Sequence, residues 1–325
     1  MLKGLNPQQI EAVIEEGNVL LTACPGSGKT RALTYKIAYE LERLTNSKKI
    51  IIAVTFTNRA ADEIKKRIRE LNTDDTNLWA GTIHSFCLEW ILRPYMCYLD
   101  ELKNGFSISD EYNSENLMSE LKKTYGLNFW DSVSTKYLPN GEKEEVVYRE
   151  LLDEYHETLA SKKLIDFDQI LHYAHQLILA YPKISEILKN MFHLICVDEY
   201  QDTQQLQYAI LAKIMKGASG NCKMFFVGDS DQAIYGSLGG VAKELEEINN
   251  EFGVVFTGKE LSGNYRSNQQ IIDYYRNFQT TNIDIKALGT NANDGAIITY
   301  NRTVHKDDLT VYISEIIKQK IAEGI

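Results

Sequence analysis

The sequence has few of the features that mark membrane, secreted or zinc-binding proteins. No apolar run approaches the ~20 residues that span a membrane, and the N-terminus lacks the apolar core of a signal peptide. The five cysteines are scattered, odd in number and without C-x-x-C pairs, which argues against a disulfide framework and a zinc site. We therefore expect a protein of the reducing cytoplasm with no membrane partner.

Positive charge is also scarce, because the net charge of the chain is −10. An acidic chain is a poor general binder of nucleic acid, so any such contact requires a local groove. The content of 44% hydrophobic and 25% charged residues is that of an ordinary globular protein. A length of 325 residues fits two domains or one large domain.

Residues 18–31 follow the order strand, phosphate loop, helix. The apolar run 19–21 predicts a short buried strand, and a helical stretch runs from 31 to 44. Between them the pattern G-x-x-x-x-G-K-[ST] is met except at its first position, which is alanine. In such a loop, backbone N–H groups surround a polyphosphate, the lysine reaches the β and γ phosphates, and the hydroxyl holds Mg²⁺. The predicted nucleotide-binding residues are Ala23, Cys24, Pro25, Gly26, Ser27, Gly28, Lys29, Thr30 and Arg31.

A second candidate centre follows another apolar strand. The run 192–197 leads directly into the paired carboxylates Asp198 and Glu199. A carboxylate at a strand tip beside a phosphate loop can hold Mg²⁺, and its neighbour can orient and deprotonate the water that attacks the γ phosphate. We therefore predict Asp198 as a metal ligand together with Thr30, and Glu199 as the base.

Four further residues are candidates for the same site. Gln232 follows the predicted strand 222–229 and can sense the γ phosphate, while Arg266 can neutralise charge that develops on the transferred group. Tyr265 can stack on adenine. Gln9 lies near the start of a predicted capped helix, and its amide can bond adenine in a bidentate way.

Polar residues also follow two neighbouring strands, 50–55 and 78–86. In open α/β sheets, ligands bind outside the carboxyl ends of the strands, where hydroxyls and amides can hold phosphates and an aromatic ring can stack on a base. Spacing alone also allows Phe56 and Phe86 to belong to the core, and the basic run 65–69 is typical of a solvated helix face. The candidate DNA-binding residues are Phe56, Thr57, Asn58, Thr82 and His84.

The middle of the chain differs in character from the rest. Residues 93–165 are rich in Tyr, Asn, Glu and Lys, hold no strand-like run and show helical periodicity, which predicts a helical insertion. Beyond it, 252–256 predicts a short strand, and 296–300 with 306–323 predicts a strand and a helix. We expect a first α/β domain over 1–92 and 166–280, an inserted subdomain over 93–165, and the truncated start of a second domain over 281–325.

Together these residues resemble the superfamily 1 DNA helicases of the UvrD/PcrA/Rep type. The resemblance covers essentially the whole chain and is weak over 93–150. Several motifs in the family's order are far more specific than a phosphate loop alone. They are Leu5-Asn-Pro-Gln-Gln9, Ala23-Cys-Pro-Gly-Ser-Gly-Lys-Thr30, Ala53-Val-Thr-Phe-Thr-Asn58, Gly81-Thr-Ile-His-Ser85, Leu164-Ile-Asp-Phe-Asp168, Val197-Asp-Glu-Tyr-Gln-Asp202, Val227-Gly-Asp-Ser-Asp-Gln232 and Asn264-Tyr-Arg-Ser267.

The resemblance implies a fold and an activity. It implies RecA-like parallel sheets with ATP and Mg²⁺ between two domains, single-stranded DNA across their top, and 3′-to-5′ translocation driven by ATP hydrolysis. It assigns adenine to Gln9 and Tyr265, and the γ phosphate to Gln232 and Arg266. It leaves open whether the pathway is DNA repair, replication, plasmid maintenance or antiviral defence.

The sequence departs from the family's pattern at two places. Ser237 and Leu238 stand where the family usually has an aromatic residue and an arginine, so a base-stacking platform worth ~1–3 kcal/mol is missing. The chain also ends before the family's late motifs, so we expect a truncated chain or a partner protein that supplies the rest. These departures keep open a second hypothesis, a nucleotide-binding regulatory module without independent unwinding. A small-molecule kinase is disfavoured, because it does not explain the polar strand tips.

Overall fold

The computed structural model describes residues 2–44, 48–128, 130–217, 221–234, 236, 239–295, 301 and 303–323. The strands are β1 (Asn18–Ala23), β2 (Ile50–Thr55), β3 (Leu78–Thr82), β4 (Ser107–Ile108), β5 (Leu164–Ile165), β6 (Phe192–Asp198), β7 (Lys223–Gly228), β8 (Phe256–Leu261), β9 (Gly263–Asn264) and β10 (Lys286–Ala287). The helices are α1 (Pro7–Ile14), α2 (Lys29–Arg43), α3 (Asn58–Glu70), α4 (Ile83–Phe86), α5 (Arg93–Tyr95), α6 (Glu111–Thr124), α7 (Arg149–Ser161), α8 (Phe167–Ala180), α9 (Pro182–Met191), α10 (Gln205–Met215), α11 (Leu245–Phe252), α12 (Gln269–Tyr275) and α13 (Leu309–Ala322). A π-helical stretch, Cys87–Leu92, joins α4 to α5.

The centre of the fold is a sheet of six parallel strands in the order β3-β2-β6-β7-β1-β8. Successive side chains of a strand point to opposite faces, so the apolar strands feed two cores. Ile52, Ile195 and Phe226 pack into the core on one face, while Ala53 and Phe225 pack into the core on the other. This arrangement confirms the prediction of an α/β fold with a parallel sheet. It also brings the carboxyl ends of β1, β2, β3, β6 and β7 to one edge.

Helix starts follow the sequence closely at two places beside that edge. Asn6 caps α1, its side chain accepts from Gln9 N–H, and Pro7 occupies the first turn, as predicted. Thr57 caps α3 by accepting from the N–H of Ala60 at 3.1 Å. Each cap fixes the chain at the point where its helix begins.

Three predicted elements differ from the structure. The run 252–256 was expected to be a strand, but Phe252 ends α11, Gly253 takes a left-handed turn with φ of 66°, and β8 begins at Phe256. The polar segment after β3 is the start of helix α4 and not a turn, because Thr82 serves as its N-cap. The predicted helical insertion contains α5, α6 and α7 and also two short strands, β4 and β5, which pair in parallel with each other.

Some predictions concern features outside the described residues or the limits of the domains. The strand expected over 296–300 lies outside the described residues, as do Ser237 and Leu238, and the boundaries of the domains stay predictions. Within the described part of the chain, helices long and apolar enough to cross a membrane are absent.

Candidate functional site

The phosphate loop lies between β1 and α2, and its shape depends on two glycines. Gly26 and Gly28 adopt left-handed φ angles of 70° and 83°. A Cβ on Gly26 would lie 2.8 Å from the Cβ of Arg266, and a Cβ on Gly28 would lie 2.8 Å from Nε2 of Gln9. Glycine is therefore needed at both positions, because it can adopt the left-handed φ and because a side chain would clash with Arg266 or Gln9. The first N–H groups of α2 have no intrahelical partner and open onto this loop.

Lys29 is the charged centre of the loop. Its ammonium Nζ lies 3.3 Å from Oε2 of Glu199 and 3.9 Å from Oδ2 of Asp229. Nζ is buried, yet within the described part of the chain it forms no hydrogen bond. A buried ammonium normally has its donors satisfied, so this atom is suited to a ligand with anionic oxygens, such as a polyphosphate.

Two carboxylates lie at the end of β6 beside that lysine: Asp198 is the last residue of the strand, and Glu199 follows it. Asp198 is buried, and its Oδ1 accepts a hydrogen bond of 3.1 Å from the N–H of Glu199. Burial, with the charge of Glu199 in second place, raises the pKa of Asp198 to about 7, although Lys29 opposes this. Glu199 itself has a strained φ of 52°. A buried carboxylate with excess negative charge fits a divalent cation, and Thr30 in the first turn of α2 offers a hydroxyl for it.

A buried glutamine joins the tips of β6 and β7. Gln201 donates from Nε2 to Oε2 of Glu199 at 2.9 Å, and its Oε1 accepts from the N–H of Asp229 at 3.0 Å. Asp229 in turn accepts from Nε2 of Gln232 at 2.6 Å. Gln201 and Asp229 were not predicted as site residues, although both lie within motifs that the sequence displays. They orient the two residues that were predicted, Glu199 and Gln232.

Most of the predicted nucleotide residues line one crevice, but Gln9, Ala23, Cys24, Pro25 and the predicted metal ligand Asp198 are not among its lining residues. Its walls are the loop from Gly26 to Arg31 and the side chains of Arg67, Glu199, Gln232, Tyr265 and Arg266. Arg67 was missed, because the basic run on α3 was interpreted as a solvated face. That interpretation fits its neighbours Lys66 and Arg69, which pair with Glu70 and Asp75.

Other predicted residues support the crevice from behind. Ala23 and Cys24 are buried beneath the loop. Gln9 is only 3% exposed, donates from Nε2 to the carbonyl of Ser27 at 2.9 Å, and accepts from the N–H of Asn6. Its amide braces the loop in this state, so its role towards adenine stays a prediction. Tyr265 is 43% exposed, and its hydroxyl accepts from Nδ2 of Asn6 at 2.8 Å.

A neighbouring groove contains part of the predicted DNA-binding set. Phe56, Thr82 and His84 line it together with Asp198 and Glu199. Phe56 is 52% exposed, which rules out a place in the core for this ring. Burial lowers the pKa of His84, which favours the neutral ring.

The rest of that predicted set has other surroundings. Thr57 caps α3, and Asn58 is the first residue of that helix. Neither is among the residues that line the groove. Phe86 is fully buried, as the alternative interpretation allowed. Phe167 was not among the predicted residues; its ring is 49% exposed and lies edge-on to that of His84, with 5.6 Å between centroids. The segment Leu164-Ile-Asp-Phe-Asp168 was the indication in the sequence.

Comparisons with known proteins agree with this arrangement. Residues 5–135 and 122–253 match the family model described as the UvrD/REP helicase N-terminal domain. The chain is 30% identical over 361 positions to the ATP-dependent DNA helicase UvrD1 of Mycobacterium leprae, covering 100% of this chain and 46% of that protein. It is likewise 30% identical over 346 positions to the ATP-dependent DNA helicase PcrA of Staphylococcus aureus, covering 98% of this chain and 46% of that protein. The chain thus spans about half the length of these curated relatives.

Proposed function

Because the chain belongs to the UvrD/REP helicase family, we propose that it is an ATP hydrolase that couples hydrolysis to 3′-to-5′ movement on single-stranded DNA. The observation that carries this proposal is the buried Lys29 ammonium at the phosphate loop, held beside carboxylates and without a hydrogen bond in the described part of the chain. The relatives are named ATP-dependent DNA helicases, which supports both the nucleotide and the polymer.

In this proposal the nucleotide lies in the crevice. Lys29 would exchange its ion pair with Glu199 for the β and γ phosphates, which frees the Glu199 carboxylate. Glu199, still held by the amide of Gln201, would then orient the attacking water and accept its proton. Arg266 and Gln232, which line the same crevice, would face the γ phosphate, and Tyr265 would stack on the adenine.

Thr30 and Asp198 would hold Mg²⁺. When bound, this ion would neutralise charge on the β and γ oxygens. The raised pKa of Asp198 supports this assignment, because a bound cation would favour the charged carboxylate that burial, and secondly the charge of Glu199, disfavour.

Single-stranded DNA is proposed for the neighbouring groove. Glu199 lines both the crevice and the groove, so its side chain would carry a change at the γ phosphate to the groove. The half-exposed ring of Phe56 suits base stacking, which does not depend on sequence. The acidic wall there and the net charge of −10 favour contact through bases over contact through phosphates alone.

Two substitutions test the nucleotide site. Lys29→Ala should abolish ATP turnover and weaken nucleotide binding. Glu199→Gln keeps the shape of the side chain, so it should retain Mg-ATP binding and lose hydrolysis. Binding is measured with a fluorescent ATP analogue and turnover by phosphate release. Unchanged turnover in Glu199→Gln would refute the assignment of the base.

A further inference from the structure

A distant segment is fastened to the turn that carries Gln232. Asp231 accepts four hydrogen bonds from two consecutive threonines: the N–H and hydroxyl of Thr280, at 2.7 and 2.5 Å, and those of Thr281, at 3.1 and 2.6 Å. Burial by itself would raise the pKa of Asp231. The hydrogen bonds from Thr280 and Thr281 outweigh this effect and hold the pKa below its ordinary value. The carboxylate is therefore ionised at neutral pH, and every donor of the pair is satisfied by it.

Residues 280–288, which we call the strap, also contact the segments that support the other walls of the crevice. Ile283 and Ile285 are buried in one apolar cluster with Cys24 of the phosphate loop. Further along, β10 pairs in parallel with β9, and Leu288 N–H donates to the carbonyl of Asn264 at 2.7 Å. The strap thus reaches the loop, the Gln232 turn and the segment that precedes Arg266.

Asn264 extends the last of these contacts to the arginine. Its Oδ1 accepts from the N–H groups of Arg266 and Ser267, at 2.8 Å each, and the side chain is 1% exposed. A Cβ on Gly26 would lie 2.8 Å from the same oxygen. A shift of the strap would therefore move the wall that carries Arg266.

The connection back to the phosphates is short. The N–H of Asp231 donates to Oδ1 of Asp229 at 3.1 Å, while Oδ2 of Asp229 accepts from Gln232 and lies 3.9 Å from Nζ of Lys29. A phosphate that draws Lys29 and Gln232 towards it perturbs Asp229, and Asp231 is bonded to Asp229 on one side and to the strap on the other.

We propose that Asp231 is a positioning residue that ties the Gln232 turn to the strap, so that the strap responds to occupation of the γ-phosphate position. The inference rests on the proposed function, since it requires a nucleoside triphosphate in the crevice. It adds a residue and a segment to which that function gives no role.

Hydrogen exchange measured by mass spectrometry tests this on the whole chain. Without nucleotide, Asp231→Ala should accelerate exchange at the amides of Thr280 and Thr281 by on the order of tenfold, the effect of losing a hydrogen bond to a charged acceptor. Asp284→Ala is the matched control, because it removes an exposed carboxylate of the same strap that pairs only with Arg276 and Lys286 within the described residues. It should leave those two amides unchanged.

The second arm adds Mg-ADP or a non-hydrolysable Mg-ATP analogue. In the unmodified chain, exchange in the strap should differ between the two nucleotides. In Asp231→Ala this difference should vanish while the phosphate loop stays protected. Thr281→Val keeps the shape of the side chain but loses its hydroxyl donor, so it should weaken the response of the strap to nucleotide. Thr281→Ser keeps the hydroxyl and should retain that response. This pair also serves if Asp231→Ala fails to fold.

The outcomes separate the two proposals. If neither nucleotide protects the phosphate loop of the unmodified chain, the proposed function fails and the coupling fails with it. If the loop is protected but the strap is indifferent to the nucleotide, only the coupling is overturned. A nucleotide response that persists in Asp231→Ala would likewise overturn the role of this residue, and unchanged exchange without nucleotide would overturn the tie itself.

Discussion

Gly228 lies at the end of β7, and we expect Gly228→Ala to destabilise the fold strongly. Its added Cβ would lie 2.2 Å from Oε1 of Gln201 and 2.6 Å from Cδ1 of Tyr200. The backbone cannot retreat, because β7 is paired with β1 on one side and β6 on the other. In Gly228→Ala the two side chains must therefore move.

The cost follows from what Gln201 holds. Its displacement leaves the N–H of Asp229 without its acceptor and Glu199 without its amide donor. A buried unsatisfied donor together with overpacking of this kind should destabilise the fold by about 3 to 5 kcal/mol. Hydrolysis of ATP should fall at least tenfold, because Glu199 is no longer oriented.

Urea unfolding followed by circular dichroism measures the stability term. Gly258→Ala is the matched control, since it places a methyl group in the edge strand β8, 3.2 Å from the flexible end of Leu245. It should cost less than about 1 kcal/mol. If Gly228→Ala costs no more than Gly258→Ala, the account of Gln201 as a fixed bridge between the strand tips is wrong.

Two other predictions concern the groove and the inserted region. Phe56→Ala should weaken single-stranded DNA binding by ~1–3 kcal/mol, measured by fluorescence anisotropy, if the ring stacks on a base; unchanged affinity would contradict that role. His172 is buried under the ring of Tyr137, at 3.7 Å between centroids, and burial lowers its pKa to about 4. A histidine that is kept neutral contributes stability above its ordinary pKa of about 6.5, and this stability is lost as the pH falls towards 4. The unmodified chain should therefore lose about 2 to 3 kcal/mol of unfolding free energy between pH 7 and pH 4.5 through this histidine. His172→Phe should lack this loss, so its unfolding free energy should rise by that amount relative to the unmodified chain. An equal difference at both pH values would refute the reasoning.

Local chemistry accounts for the features that could be predicted from the sequence. The buried strands of a parallel sheet read as continuous apolar runs, so β2 and β6 were recognisable together with the polar residues at their tips. Asn6 and Pro7 likewise indicate where α1 begins, because an N-cap and a first-turn proline both act within one helical turn.

Prediction from the sequence failed where packing between distant segments determines the structure. The run 252–256 is apolar but contains a helix end and a left-handed glycine, while the edge strand β8 needs only one apolar face and carries Lys259. Arg67 has the spacing of a solvated residue, and only the packing of α3 beside the loop brings it to the crevice. The tie between Asp231 and Thr280 spans 49 residues, so no local pattern could reveal it.

ATP turnover with and without single-stranded DNA is the most direct measurement of the central claim. It should be made on the unmodified chain at low and high salt, with Lys29→Ala as the control. The account predicts turnover that DNA stimulates, that high salt diminishes, and that Lys29→Ala abolishes. Turnover that is absent, indifferent to DNA, or equal in Lys29→Ala would contradict it.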